Sequence, residues 1–140
     1  MEAEIDTNLI AAFATIALPE RADDTLRADL DALARLLQEA PANLRAPALV
    51  FRGRDGTVRA VPITEELSCG RASDCGLRFT DLREISRHHF TIRKESDIYW
   101  LVDHSSFNGT KIRGRPIKKH ELRDGDLINA AGIIFAFIRE

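Results

Sequence analysis

The feature that most constrains this chain is a change in hydrophobic period near Pro47. Before it, apolar residues fall at Ile5, Leu9, Phe13 and Ile16, then at Leu26, Leu30, Leu33 and Leu37. Spacings of three and four line one face of a helix, so residues 1–46 predict two amphipathic helices. Pro19 ends or bends the first, Asp23 or Asp24 can cap the second, and Pro41 and Pro47 stop further propagation. A helical hairpin with a short linker is the expectation for 1–46. After Pro47 the pattern changes to short runs of branched and aromatic residues separated by turns: Ala48–Arg52, Val58–Ile63, Leu77–Phe79, Phe90–Arg93, Ile98–Val102, Thr110–Ile112, Leu127–Asn129 and Ile133–Ile138. Asp55-Gly56 can supply the positive φ angles of a tight hairpin. Residues 47–140 therefore read as a two-sheet β-sandwich domain, and the fold class is mainly β with a helical hairpin in front.

Charge divides at the same place. Residues 1–46 hold nine acids and four bases, and 47–140 hold 13 acids and 16 bases. With a net charge of −2 overall, the chain carries no polybasic footprint for nucleic acid or anionic lipid. Its longest apolar stretches are far short of a bilayer span. The acidic N-terminus is unlike a secretory signal, and two cysteines make no disulfide framework, so the cytoplasm is the expected compartment.

Three polar clusters fall in loops between expected strands, where a rigid scaffold can present them together: Gly70-Arg71, Ser86-Arg87-His88-His89, and Ser105-Ser106-Phe107-Asn108-Gly109-Thr110. With Gly125-Asp126 near the last strands, they follow in order the pattern of the forkhead-associated (FHA) family, which residues 47–140 resemble. The resemblance implies a β-sandwich whose end loops bind phosphothreonine in partner proteins, without catalysis or cofactor. Such a module docks one protein on another in Ser/Thr kinase signalling, and a Ser/Thr protein kinase is itself a candidate partner.

The residue chemistry suits that task. A phosphate ester offers nearly two negative charges and three acceptor oxygens, and an arginine fork matches them in a bidentate way. Arg71 is the first candidate, with the Ser86 hydroxyl as a short donor, Arg87 as a second charge and Asn108 as a holder of peptide main chain. By resemblance Phe107, at the loop tip, meets the ligand through backbone or ring, and Gly70, His89, Gly109 and Thr110 support the loops. Strict alternation back from Phe90 and Ile92 would instead send His88 inward and His89 outward.

Other readings of these residues fit less well. Ser86, His89 and Asp103 could form a hydrolase triad, but no nucleophile elbow surrounds the serine. Cys69, Cys75 and the histidines lack a standard zinc spacing, so no metal is expected. Arg113-Gly114-Arg115-Pro116 stands where the family commonly has Asn-Gly, which leaves the turn type open. Finally, the helices need a surface to cover Leu26, Leu30, Leu33 and Leu37, whether the sandwich, a second copy or a partner. The alternative function is accordingly an oligomerisation or scaffold subunit acting through the helices, with a vestigial or phosphate-independent loop surface.

Overall fold

The computed structural model describes residues 24–139. The first expected helix, over Ile5 to Ile16, lies outside them, so a hairpin is not shown. The second is present as α1 (Asp24–Glu39). Eleven strands follow: β1 (Ala48–Arg52), β2 (Val58–Pro62), β3 (Glu66–Gly70), β4 (Leu77–Arg78), β5 (Phe90–Glu95), β6 (Ile98–Asp103), β7 (Thr110–Ile112), β8 (Arg115–Pro116), β9 (Lys119–Leu122), β10 (Leu127–Ala130) and β11 (Ile133–Ile138). They form a six-stranded sheet, β2-β1-β11-β10-β7-β8, and a five-stranded sheet, β4-β3-β5-β6-β9.

Period-two alternation explains how the two sheets and the helix share the apolar residues. Leu49, Phe51, Phe135, Phe137 and Ile128 of the six-stranded sheet join Cys69, Phe90, Ile92, Tyr99 and Leu101 of the other sheet in the sandwich core. The intervening residues Ala48, Val50, Leu127, Ala136 and Ile138 point the other way and meet Leu33, Leu36 and Leu37 of α1, with Leu44 of the linker. Leu33 and Leu37 of the expected stripe, together with Leu36, are thus covered by the chain's own sheet. A sheet buried on both faces needs nearly continuous apolar strands, which is what Ala48–Phe51 and Ile133–Ile138 are.

Three strands had no counterpart in the sequence reading. Glu66–Gly70 alternates correctly, burying Leu67 and Cys69, but two apolar residues make a faint signal. Lys119–Leu122 is an edge strand rich in charge, as edges need to be, and Arg115–Pro116 closes a hairpin with β7. That hairpin settles the open turn: Arg113 and Gly114 both have positive φ, 53° and 76°, between paired Ile112 and Arg115. These are the angles of a type I′ turn, with arginine where asparagine is usual. In the β1–β2 loop only Gly56 takes positive φ, and Asp55 contributes a side-chain oxygen to the Thr57 amide. Among the described residues no helix is long and apolar enough to cross a membrane.

Candidate functional site: three loops at one end of the sandwich

The loops after β3, before β5 and before β7 meet at one end of the sandwich. Main-chain bonds set the first contact: Arg71 N–H donates to the Ser86 carbonyl and Ala72 N–H to the Arg87 carbonyl, while His89 N–H donates to Cys69. This approach has no room for a side chain at the end of β3. A Cβ on Gly70 would lie 2.1 Å from the Arg87 carbonyl oxygen. Gly70 therefore serves close approach, whereas Gly109, at φ 80° with open space around it, serves backbone conformation.

His89 is the central brace. It is fully buried, as is the adjacent Phe90, so alternation breaks in the turn before β5 and the exposed neighbour is His88. The Nδ1 of His89 accepts the Ser86 amide hydrogen at 3.0 Å, which leaves the proton on Nε2 to donate to the Gly109 carbonyl at 2.9 Å. One neutral imidazole in one tautomer thus joins two loops. The same geometry removes the triad: Ser86 Oγ faces no base and accepts the Phe107 amide hydrogen at 2.9 Å.

Asp103, read from sequence only as a triad partner, organises the third loop. Its carboxylate accepts the hydroxyls of Ser106 at 2.5 Å and Thr110 at 2.7 Å, and the Ser106 amide at 3.2 Å. Burial pushes its pKa up, but these hydrogen bonds outweigh burial and hold it below the ordinary carboxylate range. Thr110 is fully buried beneath the loop. A carboxylate three residues before a serine is a recognisable local pattern, and could have been read as a loop-forming acceptor.

The candidate ligand contacts surround this frame. Half-buried Arg71 donates from Nε to the Ile85 carbonyl at 2.6 Å, which fixes the guanidinium and leaves its two terminal nitrogens to act as a fork. Arg87 is exposed, its carbonyl tied down by Ala72. Ser86 Oγ still has its own hydrogen to donate. Asn108 donates from Nδ2 to the Glu84 carbonyl at 2.8 Å, so it braces one loop against the next while remaining exposed. Phe107 is 93% exposed, and since Ser86 holds its amide hydrogen, the ring is turned out where a partner can meet it. Beside Asn108 a cavity of about 280 Å³ opens between Glu84, Gly109, Lys111, Asn129 and Gly132.

Residues 67–131 match the family profile of the FHA domain. FHA domain-containing protein FhaA of Mycobacterium tuberculosis is 35% identical over 75 residues, 53% of this chain and 14% of FhaA. The oxoglutarate dehydrogenase inhibitor of Corynebacterium jeikeium is 31% identical over 90 residues, 64% of this chain. The match spans 62% of that relative, so in both cases the relative extends well beyond it. Among solved structures, the FhaA FHA domain in complex with the intracellular domain of Rv3910 has 28% identity and a TM-score of 0.56, covering 64% of this chain and 96% of that one. A domain from a study of phosphothreonine-dependent FHA interactions has 26% identity and a TM-score of 0.57, covering 66% and 95%. Fold, loop order and sequence likeness agree: residues 67–131 match the forkhead-associated domain, and the sandwich that carries them has the fold of solved FHA domains.

Proposed function

We propose that the protein is a non-catalytic interaction module that recognises phosphothreonine in partner proteins, docking them in Ser/Thr kinase signalling within the cytoplasm. The observation that carries this reading is the anchored fork: Arg71, held through Nε by the Ile85 carbonyl, beside the Ser86 hydroxyl and the Arg87 charge. A dianionic phosphate is bound best by donors that are already oriented, because less side-chain freedom is lost on binding. Asn108 and the Phe107 ring flank that point and suit contact with peptide on either side of the phosphorylated residue. The phosphothreonine dependence of a structural relative supports the same reading.

The test is titration with a degenerate phosphothreonine peptide pool, with phosphoserine and unphosphorylated pools beside it. Binding is expected for phosphothreonine alone. Arg71→Ala should weaken it by more than about tenfold, since a charge-assisted hydrogen bond contributes about 1.5–3 kcal/mol, while the melting temperature is nearly unchanged. Equal binding to all three pools, or none, would remove the proposal.

A further inference from the structure

A cluster outside the Arg71–Ser86 fork combines three different ligand chemistries. Asp74 and Cys75 are neighbours in the loop after β3, and His88 arrives from the loop before β5. One ligating atom of each, a carboxylate oxygen, the Sγ and an imidazole nitrogen, lies within 4.8 Å of the other two. His88 Nε2 is already 2.9 Å and 3.1 Å from the two Asp74 oxygens. Asp74 and His88 are exposed, whereas Cys75 is only 7% exposed, so the thiol forms the floor of a site whose rim is open to water. Twelve intervening residues hide this grouping from any spacing rule, which is why the sequence pointed to no metal.

We infer that Asp74, Cys75 and His88 form a three-ligand site for a thiophilic divalent cation of the zinc type, with solvent in the fourth position. Three mixed N, O and S ligands with one open position are a known zinc arrangement, and a thiolate selects against magnesium and calcium. The charges balance: carboxylate and thiolate carry two negatives against the cation's two positives. On binding, the thiol proton leaves to solvent, and the Nε2 proton that bridges His88 and Asp74 is exchanged through solvent for one on Nδ1, so that a neutral imidazole binds the cation through Nε2. In the free chain that thiol is kept protonated, because burial and the Asp74 charge raise its pKa, partly opposed by the Ser68 hydroxyl, the Ala72 backbone amide and Arg78. Its present hydrogen bond to the Arg87 carbonyl, at 3.4 Å, is exchanged for the metal bond. Arg87, beside Asp74, and Arg78, near Cys75, are the positive charges that oppose a cation here among the described residues.

The test is titration of the full chain with Co²⁺ under a non-thiol reductant, followed by displacement with Zn²⁺. One equivalent of Co²⁺ should give a thiolate-to-metal charge-transfer band and the visible bands of a tetrahedral ion, with proton release to the medium. Cys75→Ser should abolish the charge-transfer band and Cys69→Ala should keep it. His88→Gln and Asp74→Asn should each weaken Zn²⁺ binding by more than about tenfold, at least the loss that changes around a ligand produce. Thermal melts of each variant separate loss of metal from loss of fold, and with three independent ligands one unfolded variant does not remove the test. Absence of the charge-transfer band in the folded parent, or its persistence in Cys75→Ser, would overturn the assignment.

Discussion

At the scale of single residues, the site rests on positions that look unremarkable in isolation. Gly70 and Gly109 are both loop glycines, yet the structure assigns them different penalties. Gly70→Ala must push the Arg87 carbonyl out of the place a Cβ would take, and overpacking of that kind costs about 1–3 kcal/mol. The backbone it displaces is that of the candidate phosphate loop, so phosphopeptide affinity should fall along with the melting temperature. Gly109→Ala meets no atom and carries only the strain of positive φ, about 1–2 kcal/mol, and parallel melting and peptide titrations of the two variants would separate these causes. Asp103 makes a pH-dependent contribution. Its pKa is lower in the folded chain than in the unfolded one, so its stabilisation is present above the ordinary carboxylate value, about 3.9, and is lost as pH falls through the folded value. Denaturant melts of parent and Asp103→Asn should therefore differ most near neutral pH and converge below about pH 4.

At the scale of elements, the helix and the loops occupy different parts of the sandwich. Leu33, Leu36 and Leu37 pack on the outer face of β1 and β11, whereas the binding loops extend from the strand ends of the other sheet and from β7. Leu37→Ala should cost about 2–5 kcal/mol, as buried leucine truncations do, because it opens space between α1 and the sheet. It should leave phosphothreonine binding unchanged in a folded sample, since Leu37 packs on the outer face of the six-stranded sheet with β1, β10 and β11 residues. A thermal melt paired with a peptide titration checks both halves of the statement, and a loss of affinity equal to that of Arg71→Ala would refute the independence of helix and loops. Strong elements were legible in the sequence for a physical reason: runs such as Ala48–Arg52, Phe90–Glu95 and Ile133–Ile138 bury several apolar residues in succession and so mark themselves. Glu66–Gly70 and Lys119–Leu122 were not legible, because one buries a small cysteine beside a single leucine and the other is a charged edge.

At the scale of the whole molecule, the sequence exposed the parts of the site but not the bonds between them. Arg71, Ser86 and Asn108 could be chosen by chemistry and order, and His89 by resemblance against simple alternation. That Arg71 is held by the Ile85 carbonyl and Asn108 by the Glu84 carbonyl could not, since any residue supplies a carbonyl and only the folded backbone selects one. The Asp74–Cys75–His88 grouping is likewise a product of the β3–β5 pairing that brings two loops together.

The pairing of β1 with β11 has a temporal consequence. Ala48 meets Ile138 at one end of this ladder and Phe51 meets Phe135 at the other, so the first and last strands of the sandwich are neighbours. During synthesis the N-terminal strand emerges long before its partner, and the face on which α1 docks does not exist until both are present. A ribosome-bound chain whose β11 is still in the exit tunnel would hold Leu33, Leu36, Val50 and Phe51 without their native cover. The sandwich is thus completed only once β11 has emerged, and the loops that follow β3 and precede β5 and β7 gain a finished scaffold no earlier.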